Sequence, residues 1–311
     1  MIADRIKPTQ PVCYPCHCVR DMADVDFEHI RPLFSALPAL DKAASEELRA
    51  RFSDKKAAEE LAWLAEIRGE ADIVLDRPSI TLFAGLHQRS RGDLKCHRAL
   101  IESRIDSLTS ASDPLYDLCG KIDVDLRLHE MALDEPAGAV PDRPALSENA
   151  CARAIAYGLT AVEDGPDILG IAALAPGIEP VLEAVAAKTL DPDLARAPAA
   201  DAVLEILTDV GGHETCALFG ALLGARIARI PVLLDGASAL AAAFLASAVP
   251  GGADHCRPVA PASGDLEALF VERARLAPPV LDKPSDGDGS GAARAILSLR
   301  TRLKAGGAVS R

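Results

Sequence analysis

The chain of 311 residues carries 33 Lys and Arg against 46 Asp and Glu, a formal net charge of −13, with 49% hydrophobic and 25% charged residues. That balance excludes wholesale disorder and supplies a sizeable core, while the acidic surface argues against binding nucleic-acid backbones or anionic membranes. Aromatic residues are only 4%, so the interior has to be filled by Ala, Leu, Val and Ile, which suits helices packed over a parallel sheet.

Residues 1 to 40 are punctuated by Pro8, Pro11, Pro15, Pro32 and Pro38 and read as irregular. Met1 to Arg5 bring charges with no apolar stretch behind them, so no export signal is expected and the protein reads as soluble and cytoplasmic. Within this segment Cys13, Cys16, His17 and Cys18 spell C-x-x-C-H followed by a further thiol. As a haem-attachment site the pattern would need export; as a zinc knuckle it would need a fourth ligand, for which His29 is available. A cluster of surface thiols is the preferred reading, and no metal or cofactor is expected. The other cysteines, Cys96, Cys119, Cys151, Cys216 and Cys256, read as small hydrophobes.

From Asp41 to Arg68 apolar residues recur at spacings of three and four (Leu48 and Phe52, then Leu61, Leu64 and Ile67), with Ser53 or Asp54 to start a helix and Gly69 to stop it. Ser79 to Gly85 reads as a buried strand opening into the polar loop 86–91, and the alternation over Asp123 to Met131 as a strand nearer a sheet edge. Ser147 caps a helix closed by Gly158, and Asp167 to Ala173 is a second buried strand. Residues 203–207 are helical, Gly211 and Gly212 break the pattern, and a helix over 213–229 carries Gly220 and Gly224 four apart, a stripe that lets a neighbour approach closely. Ile230 to Leu234 is a strand covered on both faces. The uncharged run from Gly236 to Ala253 contains Pro250 and falls short of the ~20 apolar residues of a membrane span; a buried helix explains it better. A polar, glycine-rich loop over 281–291 leads into a last helix over 292–303. Strands alternating with helices give an α/β fold, a doubly wound and mostly parallel sheet flanked by helices, with ligands at the carboxyl ends of the strands.

The 285–291 loop is the strongest local candidate for a site. Ser290 is placed to cap the last helix, and the flanking glycines free backbone N–H groups for an anion. Asp288 lies between Gly287 and Gly289, where a ligand can approach its carboxylate. A calcium loop is rejected because its twelfth position is Leu297 rather than a bidentate Glu; a solvated turn before a capped helix stays open. His87 and Asp235 each follow a buried strand, and Gly211 to Glu214 offers a helix start with a carboxylate in its first turn.

Val210-Gly211-Gly212, Ala217 to Ala221, Ile230 to Gly236, Gly287 to Ala292 and Leu82 to His87 together resemble the nicotinate-nucleotide–dimethylbenzimidazole phosphoribosyltransferase family, which activates the lower ligand of cobalamin. The resemblance implies a large α/β, Rossmann-like domain over residues 76–281 and a smaller helical domain from 1–75 with 282–311. It implies a homodimer, and as substrates nicotinate mononucleotide and a benzimidazole-like base, with no nucleic acid and no membrane. Asp288 stands at the position of the family's catalytic glutamate, the general base on the benzimidazole nitrogen. Gly287, Gly289, Ser290, Gly291, His87, Gly177 and Asp235 are the expected substrate contacts.

The chain departs from the family's pattern in several places. Asp288 is one methylene shorter than glutamate, and residues 173–180 replace the family's G-E-M-G-I-G-N-T-T phosphate loop without its Asn and Thr donors. Leu86 replaces an acidic or amide residue, and the S-A-E-P-G-H run after Cys256 is missing. A relative that keeps the scaffold as a binding or regulatory partner is therefore the alternative reading.

Overall fold

A computed structural model describes residues 25–138, 143–189 and 199–305, with the backbone of Cys13 and Tyr14. Cys16, His17 and Cys18 lie outside the described residues. In chain order the elements are β1 (Cys13–Tyr14), α1 (Phe27–Ile30) with a 3-10 turn (Arg31–Ser35), α2 (Lys42–Arg51), α3 (Lys55–Arg68), β2 (Pro78–Gly85), α4 (Leu94–Thr109), α5 (Pro114–Ile122), β3 (Asp125–Met131), α6 (Glu148–Leu159), β4 (Ile168–Leu174), α7 (Glu179–Lys188), α8 (Ala199–Val210), α9 (His213–Ile227), β5 (Val232–Leu234), α10 (Ala237–Ala246), β6 (Cys256–Pro258), α11 (Asp265–Arg273) and α12 (Ser290–Ala305).

The local chemistry accounts for the boundaries. Asp54 accepts hydrogen bonds from the N–H groups of Lys56 and Ala57, and Gly69 ends α3 at φ 74°, a left-handed backbone that favours glycine. Asp113 caps α5 and Pro114 opens it. The four strands expected from the sequence are present; β1 and α1, in a segment read as irregular, and β6, α4, α5, α7 and α11 are additions to the expected set. The six strands form one sheet in the order β1-β3-β2-β4-β5-β6, every pair parallel. With all eight of its residues buried, β2 lies at the centre, and β3 one place from the edge.

Strand pleating sends alternate residues to two cores. Phe83, Leu169, Ile171, Val232 and Leu234 face one built with α6 to α10. Ile80, Leu82, Ala84, Ala172 and Leu233 face the other, which also takes Leu48, Leu61 and Leu64 of the N-terminal helices and Ile296 and Leu299 of α12. The start of α12 rests on β4: a Cβ added at Gly170 would fall 2.7 Å from that of Ala292.

The glycine stripe of α9 is spent inside the chain. A Cβ on Gly220 would lie 2.0 Å from the carbonyl oxygen of Ile155, and one on Gly158 the same distance from that of Ala217. Helices α6 and α9 therefore touch backbone to backbone. The homodimer implied by the family resemblance would have the small-residue faces of α9 and α10 as candidate surfaces; in the structure both helices are almost wholly buried against their own chain. Among the described residues no helix is long and apolar enough to cross a membrane.

Candidate active site

The strand order turns around β2, whose successor β3 lies on one side and whose other neighbour, β4, is reached by crossing back. Such a switch point opens a crevice at the carboxyl ends of the strands, because the flanking connections leave in opposite directions. The loops after β2 and β4 meet there. Arg91 N–H donates to the Gly177 carbonyl at 2.6 Å. Gly177 has φ 68°, and a Cβ there would lie 2.2 Å from the Arg91 carbonyl oxygen and 2.7 Å from Cε1 of His97. Arg89 and Arg91 expose their side chains on the same loop. His87 is wholly enclosed: its Nδ1 accepts from Arg89 N–H at 3.0 Å, and its ring fills the space that Gly138 leaves free. Burial, with Arg89 nearby, depresses its pKa to about 4, so the ring is neutral.

The first turn of α9 reaches the same strand end. Glu214 is fully buried, and a Cβ on Gly85 would fall 2.2 Å from its Oε2. Its Oε1 accepts from the Thr215 hydroxyl at 3.0 Å. Burial pushes this carboxyl's pKa up.

On the other face the 285–291 loop gathers Asp288, Asp235 and the start of α12. Gly287 at φ 72° packs against Gly236 at φ 89°, each blocking a Cβ on the other, and Gly289 at φ 92° lies over Leu82. Asp235 is buried and accepts from Ala292 N–H at 2.9 Å; burial raises its pKa against the hydrogen bond from Ser285. Gly291 leaves room for Asp235 and Ser285 to meet. The helix begins at Ser290 itself, and the capping carboxylate is Asp288, whose Oδ1 accepts Ser290 N–H at 3.0 Å. Its Oδ2 accepts from Arg104 of α4 at 3.0 Å. Burial alone would raise the pKa of Asp288, but the bonds from Ser290 and the Arg104 guanidinium outweigh it and hold the carboxyl below the ordinary range.

The sequence-derived residues thus fall into two groups along one edge of the sheet. Asp288, Asp235, Gly287, Gly289, Ser290 and Gly291 come together at α12, whereas His87 and Gly177 line the switch point. Arg104, Asp113 and His97 were missed. Arg104 meets Asp288 across 184 positions of sequence, and no local signal marks such a pair. Among the described residues no group of three or more His, Cys, Asp or Glu is arranged to hold a metal.

A sequence profile described as phosphoribosyltransferase matches residues 183–305. The nicotinate-nucleotide–dimethylbenzimidazole phosphoribosyltransferase of Rhizobium rhizogenes is 31% identical over 308 residues, which cover 86% of this chain and 90% of its own. The chain belongs to that family. The protein of the same name from Rhizobium etli is 31% identical over 272 residues, covering 76% of this chain and 80% of its own. The crystal structure of a nicotinate-nucleotide–dimethylbenzimidazole phosphoribosyltransferase from Thermus thermophilus superposes with a TM-score of 0.69 at 21% identity, covering 87% of this chain and 99% of its own, a likeness of fold. In the loop after β4, Ile178 supplies no side-chain cap to α7, and Glu179 is exposed in its first turn.

Proposed function

We propose that this protein transfers phosphoribose from nicotinate mononucleotide to a benzimidazole-type base, with Asp288 as general base. One azole nitrogen bonds to the ribose anomeric carbon as that carbon's bond to the pyridine nitrogen breaks, and the electron pair leaves with nicotinate. The proton on the other azole nitrogen passes to the Asp288 carboxylate. That proton becomes acidic only as the new bond forms, so an ionised and weakly basic carboxylate suffices, provided it is already in place.

The observation that carries this reading is Asp288 itself, ionised, part-buried and set at the start of α12 over the carboxyl edge of the sheet. Gly287, Gly289, Ser290 and Gly291 give the azole a close approach to backbone, Asp235 ties that turn to β5, and Gly177 with the His87 loop receives the phosphoribosyl part. The homologues' names over most of the chain support transfer rather than a purely binding role. We propose also that the protein acts in the cytoplasm as a homodimer, which the family resemblance supports.

Release of nicotinate from its mononucleotide in the presence of dimethylbenzimidazole tests the reaction. Asp288→Asn, which keeps the shape and one acceptor oxygen for the Ser290 N–H but gives up the bond from Arg104, is expected to lower kcat by roughly 100-fold or more. A wild-type protein that turns over no azole would overturn the reading.

A further inference from the structure

We infer that Arg104 is a positioning residue for this reaction, holding the Asp288 carboxylate from α4 while Asp113 fixes Arg104 in turn. The inference rests on the phosphoribosyl-transfer reading of the site. Arg104 Nη2 donates to Asp288 Oδ2 at 3.0 Å, and Nε lies 2.8 Å from Asp113 Oδ2 as an ion pair whose N–H is not aligned for a hydrogen bond. Asp113 is only 3% exposed and cannot follow a wandering guanidinium. Its Oδ1 takes Leu115 N–H at 2.8 Å as the cap of α5, and its Oδ2 also takes the Ser107 hydroxyl at 2.9 Å.

Three elements therefore converge on one carboxylate: α4 through Arg104, α5 through Asp113, and α12 through the Ser290 N–H. Arg104 and Asp288 are each about one-third exposed, 30% and 29%, so the pair is less screened than an ordinary surface ion pair. With both oxygens held, both torsions of the aspartate are set before substrate arrives. A carboxylate offers about four lone-pair sites, so Oδ2 can hold Arg104 and still accept the azole proton. The guanidinium also favours the ionised form, so Asp288 is returned to its working state after each proton is taken.

The charged groups facing Asp288 are Arg104, Asp113 behind it, Asp235 at the end of β5, and Arg294, which bonds Ser290 one turn along α12. Removing Arg104 takes away the cation bonded to Asp288, and leaves beside it Asp113, Asp235, the helix start and Arg294, which is engaged with Ser290. Arg104→Gln is expected to lower kcat by ~10- to 100-fold, and to move the acid limb of the kcat/KM profile to higher pH, because Asp288 then takes up a proton more readily. Arg104→Lys keeps the charge but cannot span both aspartates; it should keep the acid limb while still losing kcat. Unchanged kcat and acid limb in Arg104→Gln would overturn the inference. Carbon-13 NMR of the Asp288 carboxyl reads the clamp without turnover: its titration should move up in Arg104→Gln, and an unmoved titration would overturn the clamp. A silent wild-type enzyme with a displaced titration would instead sink the transfer reading alone.

Discussion

Three histidines are shut inside the fold as neutral rings. His87 and His129 have their pKa values depressed to about 4 and His255 to about 3, in each case chiefly by burial, with Arg89, Arg127 and Arg226 respectively adding repulsion. His129 also stacks on Phe83 and meets the Tyr157 hydroxyl at 2.9 Å. In the unfolded chain each ring takes a proton near pH 6.5, so this contribution to stability is present above pH 6.5 and is lost as pH falls towards 4. Shifts of that size correspond to roughly 3 kcal/mol for His87 and for His129 and to roughly 5 kcal/mol for His255. The carboxyls of Glu214 and Asp235, raised by burial, act in the opposite sense, since the folded state keeps protons that the unfolded chain has released. The residue-level measurement is therefore ring titration by NMR: all three should stay neutral at pH 5, and a ring titrating near 6.5 would contradict its enclosure. At this scale Asp288 was legible because flanking glycines advertise an accessible carboxylate. Arg104 was not, since a guanidinium on a polar helix looks the same whether it faces water or a carboxylate 184 positions away.

Between elements, the closest approach is that of α6 and α9. Alanine at position 220 would gain about 1 kcal/mol in helix propensity. Its Cβ, however, would lie 2.0 Å from a carbonyl oxygen belonging to another helix backbone, which cannot swing aside. Overpacking outweighs propensity here, and Gly220→Ala is expected to cost about 2 kcal/mol net, read as a lower urea midpoint with an unchanged m-value. An unshifted midpoint would mean that the two helices are not in backbone contact. The glycine spacing thus announced a close contact but not with which partner, because the same stripe serves a neighbour in the chain as well as one outside it. Other elements were illegible for plainer reasons. In α4 only His97, Ile101 and Leu108 are buried over sixteen residues, too sparse a stripe to show a period of 3.6. With three residues, β6 is too short for any periodicity. By contrast β2, with every residue buried, and α3, with its aspartate cap and closing glycine, carried their signals in the sequence.

The molecule as a whole places its candidate chemistry on one rim because all six strands point the same way. The proposed homodimer is tested at this level: light scattering at micromolar concentration should return twice the 32.6 kDa chain mass, and a single-chain mass would refute it. With the faces of α9 and α10 already used within the chain, the pairing surface has to come from elsewhere. The parallel arrangement has a further consequence, for assembly in time. Among the described residues no hairpin starts this sheet, and each strand pairing has to wait for an intervening crossover. In a chain leaving the ribosome, Pro78–Gly85 gains its first long neighbour with Asp125–Met131, and its second edge stays open until Ile168–Leu174 has emerged. Until then a strand destined for the centre of the protein offers unpaired backbone to any passing chain.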